Sequence, residues 1–213
     1  FILGFIIPLV EKLVEYLKAH PNAKQVIPAG SYRRRKETVG DIDILAISDK
    51  PEEIMDHFVN FPEVEYIHAK GPTKTMVRLK IGLDVDLRVV EEESFGAALA
   101  YFTGSKDHNI AMRELAMKKG WKLNEYGLFD EKGKKIAGKT EEEIYKKLDL
   151  ECIPPELREN RGEIQLALQK KLPKLIEYGS IKGDLQVQTN WTDGGNSIEE
   201  MVCLLYTSDA ADE

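Results

Sequence analysis

Gly30-Ser31-Tyr32-Arg33-Arg34-Arg35-Lys36 and, four residues on, Gly40-Asp41-Ile42-Asp43-Ile44-Leu45-Ala46-Ile47 are the two runs on which the reading of this chain turns. From Asp41 onward polar and apolar residues alternate behind a glycine, the pattern of a strand with one dry face. Side chains two apart leave a strand on the same side, so Asp41 and Asp43 share one face while Ile42 and Ile44 take the other. Further along, Asp84 to Val90 repeats the pattern: Asp86 stands opposite in phase to Val85, Leu87 and Val89. If the two strands are neighbours, three carboxylates converge.

Around these strands the periodicities are mixed. Val10, Leu13, Val14 and Leu17 recur at helical spacing up to His20-Pro21 and predict an amphipathic helix packed on something to its N-terminal side. Gln25 to Pro28 reads as a short strand, Pro51 to Asn60 as a helix, and Thr75 to Leu79 with Gly82 and Asp84 to Val90 as strand, turn and strand. Ser94 to Tyr101 and Lys106 to Lys119 read as helices, and Thr140-Glu141-Glu142-Glu143 is a capping box opening a helix that runs to about Leu148. The expected fold class is therefore α+β, a mixed sheet flanked by helices. Pro154-Pro155 then breaks the chain, Glu156 to Lys174 reads as a linker with one helix, and a second small unit is expected near Gly183.

A net charge of −7 argues against nucleic-acid binding until it is divided along the chain. Residues 1–140 carry 22 basic against 21 acidic side chains, and residues 141–213 carry 8 against 16, so the acidity belongs to the rear. What governs binding to an anionic polymer is where positive charge gathers. Cys152 and Cys203 lie far apart with no second ligand near either, which points to neither a zinc site nor a disulfide framework. No apolar run spans a bilayer and the opening Phe1 to Ile7 lacks a basic leader, so the expected address is cytoplasmic, with no membrane partner.

Clustered carboxylates raise one another's pKa unless a cation is shared among them. Oxygen ligands of this kind suit Mg²⁺, and two such ions about 3.5–4 Å apart can clamp the attacking and leaving oxygens of an in-line displacement. The chemistry implied is phosphoryl or nucleotidyl transfer. A lone D-x-D suits the solvated side of an edge strand equally well, and an isolated basic tetrad suits a solvated charge run. It is the order that favours the functional reading: a strand, then Gly30-Ser31 with free amides and a hydroxyl, then Arg33, Arg34, Arg35 and Lys36, then the carboxylates, so that an anion-binding turn lies beside the cation site.

Gly30-Ser31-Tyr32-Arg33-Arg34 followed by Gly40-Asp41-Ile42-Asp43 resembles the signature of the nucleotidyltransferase superfamily. Asp86-Leu87-Arg88, Tyr101-Phe102-Thr103-Gly104-Ser105, Asn109, Met112-Arg113 and Asn124-Glu125-Tyr126 extend the likeness to the palm and thumb of family X DNA polymerases, over about Ala23 to Gly138. Ile153-Pro154-Pro155-Glu156-Leu157-Arg158-Glu159 and Gly183-Asp184-Leu185 resemble the interdomain linker and opening of the PHP domain in the bacterial and archaeal branch. The resemblance implies a nucleotidyltransferase-type palm (23–92) with a small α/β thumb (93–150), after a remnant of a helical fingers or DNA-binding region (1–22) and before a linker (151–182) and the start of a truncated PHP domain (183–202).

It further implies that Asp41, Asp43 and Asp86 ligate two Mg²⁺ ions, Mn²⁺ being the alternative, with Asp86 on the ion that activates a primer 3′-hydroxyl. Gly30, Ser31, Arg34 and Gly40 would hold the β and γ phosphates of a deoxynucleoside triphosphate. Tyr101, Phe102 and Gly104 would line its sugar, the Gly104-Ser105 bond being a candidate non-proline cis peptide. Outside this setting, Tyr101-Phe102 would read as a buried aromatic pair. Asn109 would meet the minor-groove edge of the incoming base and Arg113 the template, and Arg88, Lys106 and Tyr126 complete the DNA side. The implied partner is primer-template or gapped DNA, bound by a monomer.

Some positions depart from the family pattern. Asp84 stands where the polymerase-beta group has a basic residue, and Lys106 replaces an acidic one. Asp184 to Thr189 resembles the first PHP motif with Gln186 and Gln188 where histidines usually stand, a poor set for a transition metal. The chain reads as a fragment that lacks the family's helix-hairpin-helix DNA grips, and Cys203 to Glu213 reads as a foreign, disordered tail. Two rival readings remain: a nucleotidyltransferase for RNA or a small molecule, which has no reason to carry the Tyr101–Arg113 block, and a module that binds DNA or nucleotide without turnover.

Overall fold

In the computed structural model, residues 1–177, 179–183 and 186–209 are described, the side chains as far as Leu204. They fall into two compact units, 1–172 and 173–213. Asp184 and Leu185, part of the expected PHP opening, lie outside the described residues.

Five strands form the main sheet of the first unit: β1 (Gln25–Pro28), β2 (Asp41–Ile47), β3 (Val64–Lys70), β4 (Lys74–Leu79) and β5 (Asp84–Val90), in the order β1-β2-β5-β4-β3. β2 and β5 run parallel and every other pair is antiparallel. Ile42, Ile44, Val85, Leu87 and Val77 bury one face against α1 (Leu3–Lys18) and α3 (Pro51–Val59). Because that face is dry, the register of β2 on β5 is fixed: a slip of one residue would drive the aspartates into the core. On the other face α4 (Phe95–Thr103) covers Leu45 and Ile47 with Phe95, Ala98 and Leu99 and leaves the beginning of β2 open.

The first helix departs from expectation. Ile6, Val10, Leu13, Val14 and Leu17 face the sheet, so α1 belongs to the core of the main sheet rather than to a separate preceding region. Its start also holds the loop that leads into β2, with Leu3 N donating to Glu37 O at 3.0 Å and Val39 N to Phe1 O at 2.8 Å.

A second core lies between α5 (Lys106–Lys118), a three-stranded sheet of β6 (Lys122–Asn124), β7 (Gly127–Phe129) and β8 (Lys135–Ala137), and α6 (Glu141–Lys147). Half of the expected capping box is present, with Thr140 Oγ1 accepting from Glu143 N at 3.2 Å, while the Glu143 carboxylate reaches past the cap to accept from Lys139 N at 3.1 Å. Gly96 lets α4 cross this turn closely, since a Cβ there would lie 2.1 Å from the Thr140 backbone. Residues 151–172, expected to be a linker, instead complete this core. Ile153, Ile164 and Ala167 are buried in it, the latter two from α7 (Glu163–Leu168), because apolar side chains follow the Pro154-Pro155 break at helical spacing.

The seal between α5 and α7 is polar. His108 Nδ1 lies 2.7 Å from Glu163 Oε1 and Nε2 lies 3.1 Å from Tyr145 Oη, and all three side chains are buried. Burial lowers the His108 pKa, opposed by the bond to Glu163 and reinforced by nearby Arg158. Burial alone would raise Glu163, but bonds from His108 and from backbone amides at Asn160 and Arg161 hold it below the ordinary carboxylate value. An ionised Glu163 accepts only, so neutral His108 donates from Nδ1 and receives the Tyr145 hydroxyl at Nε2.

In the second unit α8 (Ile198–Asp209) opens on a reciprocal cap: Ser197 Oγ accepts from Glu200 N at 3.2 Å and Glu200 Oε2 from Ser197 N at 2.8 Å. The expectation of disorder from Cys203 is corrected as far as Asp209, which this cap and the helix formers behind it carry in helix.

Unfolding of the first unit should depend on pH through His108. The unfolded imidazole takes up a proton near pH 6.5, the folded one only at lower pH, so stability is complete above about pH 7 and is lost as pH falls through that window. Urea denaturation between pH 5 and 7.5 should show a slope shallower in His108→Asn than in wild type, by up to about 1.4 kcal/mol per pH unit; identical slopes would contradict the neutral imidazole.

Candidate active site

The parallel register sets Asp41 across from Asp84 and Asp43 across from Asp86, so all four carboxylates leave the same face of the sheet. Asp86 therefore lies on the side of Asp41 and Asp43. Asp43 is raised from its ordinary value to about 6, first by burial and then by the charges of Asp41 and Asp86. Such a group gains from a nearby cation. The donors are carboxylate oxygens alone, a set that fits a hard divalent ion. As they stand, no three His, Cys, Asp or Glu side chains among the described residues could by themselves hold a metal ion. Asp86 Oδ2 instead meets Lys74 Nζ at 3.3 Å and Arg88 Nη2 at 3.7 Å, two protein cations beside the cluster.

The fourth aspartate is neutralised separately. Arg78 on β4 grips Asp84 with Nε and Nη2, each at 2.8 Å, and His68 Nε2 approaches the same carboxylate at 3.0 Å. The Arg78 bond, with His68 assisting, pulls Asp84 down to about 2. The departure at Asp84 is thus answered on the neighbouring strand.

The Gly30–Arg33 turn, α2, packs directly on this cluster. Gly30 has φ +61° and a Cβ on it would come 2.9 Å from Asp43 Oδ2, so only glycine lets the turn approach so closely. Gly30, Ser31 and Arg34 share an open cleft of about 820 Å³ with Asp41, Asp43, Tyr101, Phe102, Gly104, Lys106, Asn109 and Arg113. The Gly104-Ser105 bond is cis. Asn109 Nδ2 donates to Tyr101 O at 2.7 Å and Arg113 Nε to Asn109 O at 3.3 Å, which orders the wall formed by α4 and α5.

Other expected residues fall elsewhere. Arg88 and Tyr126 line an adjoining cleft of about 860 Å³ with Lys74, and Phe102 borders both. The Arg88 guanidinium lies over the Phe102 ring, 4.4 Å from its centroid, and its buried Nε has no partner. Gly40 directly precedes β2, outside the lining of either cleft.

The basic tetrad divides, a correction to its reading as one phosphate-binding cluster. Arg34 alone of the four lines the cleft. Arg33 forks onto Glu141, Nη1 to Oε1 at 2.9 Å and Nη2 to Oε2 at 2.6 Å, and Nη1 also donates to Thr103 Oγ1 at 2.7 Å. Arg158, buried, donates to the same Glu141 at 2.5 Å. Burial by itself would raise Glu141, but the bonds from Arg33 and the charge of Arg158 hold it below the usual carboxylate value. Arg35 lies over the Tyr32 ring and Lys36 is 3.6 Å from Glu159. Sequence reasoning missed Lys74, Arg78, Glu141, Arg158 and Glu159. Of these, Lys74 and Arg78 sit in alternation on β4 in phase with Met76, opposite Arg88 and Asp84, a signal that the strand pattern contained.

Known proteins share this fold. The chain matches the DNA polymerase beta palm over residues 6–71 and the DNA polymerase beta thumb over residues 98–159. It is 38% identical over 204 residues to the DNA polymerase/3'-5' exonuclease PolX of Bacillus subtilis, covering 94% of this chain and 35% of that protein, so the chain spans about a third of that relative's length. It is 28% identical over 147 residues to the Repair DNA polymerase X of African swine fever virus, covering 64% of this chain and 82% of the relative. A crystal structure of Leishmania infantum polymerase beta in a ternary P/T complex superposes with a TM-score of 0.64 at 25% identity, covering 75% of this chain and 76% of that one. The chain belongs to the family X DNA polymerases, and it carries their palm and thumb.

If Arg33 and Glu141 hold palm and thumb together, removing the shared anion leaves the buried Arg158 and the half-buried Arg33 guanidinium groups without it. Glu141→Leu should destabilise the first unit by about 3–5 kcal/mol in urea denaturation; a loss under about 1 kcal/mol would contradict the bridge.

Proposed function

We propose that this chain is the catalytic part of a DNA-directed DNA polymerase of the repair type, adding a deoxynucleotide to a primer 3′-hydroxyl with release of pyrophosphate. The observation that carries it is an open cleft in which Asp41 and Asp43 lie with a glycine turn and the Arg34 guanidinium, while the parallel register sets Asp86, which lines neither cleft, across from Asp43 on the same sheet face. The names of the relatives, a polymerase of Bacillus subtilis and a repair polymerase of a virus, support the same reading.

Asp41, Asp43 and Asp86 would hold two Mg²⁺ ions, or Mn²⁺. Bound there, the ions lower the pKa of the primer hydroxyl and offset charge on the triphosphate. Lys74, 3.3 Å from Asp86, would give up that contact to a bound cation. Gly30, Ser31 and Arg34 would cradle the β and γ phosphates, Arg34 with a planar fork suited to phosphate oxygens. Tyr101, Phe102 and Gly104 would bound the sugar, and bulk at that wall would disfavour a ribose 2′-hydroxyl. Asn109 and Arg113 would face the nascent base pair and template, and Arg88, Lys106 and Tyr126 the duplex.

Gap filling by the purified chain with Mg²⁺ tests the reading, with Mn²⁺ and EDTA as comparisons and ribonucleotides as a second substrate set. Asp86→Ala should lower the rate by about 10³-fold, since a lost metal ligand forfeits several kcal/mol at about 1.4 kcal/mol per tenfold, while the unfolding transition stays cooperative. Undiminished extension by that variant would exclude Asp86 from the chemistry.

A further inference from the structure

Glu159 lies 125 residues from Arg34 in sequence, in a stretch where no motif suggests a site residue, yet its Oε1 accepts from Arg34 Nε at 2.8 Å. Arg34 Nη1 donates to Thr103 O at 2.5 Å, and the side chain is only 13% exposed. A guanidinium has five N–H donors. These two contacts leave Nη2 and the second Nη1 hydrogen, on a group that lines the cleft with Gly30, Ser31, Asp43 and Gly104.

Glu159 is itself held from behind. The preceding Arg158 is buried, donates Nε to Ile153 O at 2.9 Å and engages Glu141, and its carbonyl accepts from Ser105 N at 3.0 Å. Lys36 Nζ lies 3.6 Å from the same Glu159 oxygen. The carboxylate is therefore the end of a fixed strap and sits between two cations, so most of its charge is already offset.

We propose that Glu159 is a positioning residue, which holds the Arg34 guanidinium so that its remaining donors meet the triphosphate; this rests on the nucleotidyl-transfer reading above. A carboxylate beside a phosphate site can act in two opposite ways. As a competitor for Arg34 it would weaken nucleotide binding, and removing it would tighten binding. As an anchor it removes the rotamer freedom of a long side chain before the nucleotide arrives, and removing it weakens binding. The second carbonyl contact at Thr103, the low exposure of Arg34 and the anchored strap all favour the anchor.

Single-turnover gap filling by the full chain, with Mg²⁺ and one deoxynucleoside triphosphate varied, gives an apparent nucleotide Kd and a maximal rate. Glu159→Ala should raise the Kd about tenfold with the maximal rate within about threefold. Glu159→Gln, whose amide oxygen still accepts from Nε, should stay within about threefold of wild type in both. A thermal melt of each variant separates these effects from loss of fold. Tighter binding in both variants, an unchanged Kd in Glu159→Ala, or a fall in rate alone overturns the assignment. Wild-type protein that fills no gap overturns the underlying reading instead, and the assignment with it.

Discussion

A parallel pair of strands holds like charges together. Between β2 and β5 the backbone ladder, with Ile42, Ile44, Val85 and Leu87 buried beneath it, fixes Asp43 opposite Asp86 whatever the charges above prefer. Their repulsion is small beside the cost of shifting a whole hydrophobic face into water, so the register wins. The repulsion is expressed instead as an Asp43 that ionises only near pH 6 and as the recruitment of Lys74 and Arg88 to Asp86. Both are what a site looks like when it is arranged for a counter-charge.

The remainder of the first unit holds partners around that cluster. α4 covers the far end of β2 and ends in the Thr103–Ser105 turn, which touches Arg33 and Arg34 through Thr103 and Arg158 through Ser105. Glu141 joins Arg33 on the palm side to Arg158 behind the thumb, and Glu163 joins the strap to His108 at the start of α5. With Glu159 on Arg34, three buried or half-buried carboxylates thus fix the walls of one cleft. None of them touches the three aspartates, and a uniform basic patch without such partners would present phosphate with mobile cations rather than one oriented fork.

What could be seen in the sequence follows from the range of the interactions. Alternation placed β1, β2, β4 and β5 and the faces of Asp41, Asp43 and Asp86, because a strand's two-residue period is local. Helical spacing located α1 but not what it packs against, since a helix's apolar stripe does not name its partner. β3 went unseen because Val64 to Lys70 is exposed almost throughout and so lacks a dry phase. β6, β7 and β8 are three residues each, too short for a period. The division of labour between Arg33 and Arg34 was invisible, since Glu141 and Glu159 lie 108 and 125 residues away and only the folded chain brings them near. Pro154-Pro155 looked like the start of a linker, and the apolar residues behind it turned out to finish a core.

Asp41, Asp43 and Asp86 are proposed to share divalent ions beside the Gly30 turn. A crystal structure of the chain on gapped DNA with Mn²⁺ and a non-hydrolysable deoxynucleoside triphosphate addresses this most directly, since Mn²⁺ can be located by its anomalous scattering. Anomalous peaks are expected within bonding distance of all three carboxylates, with the triphosphate against Ser31 and Arg34 and Lys74 withdrawn from Asp86. Metal bound elsewhere, or a nucleotide seated away from the Gly30 turn while Lys74 stays on Asp86, would contradict the proposal.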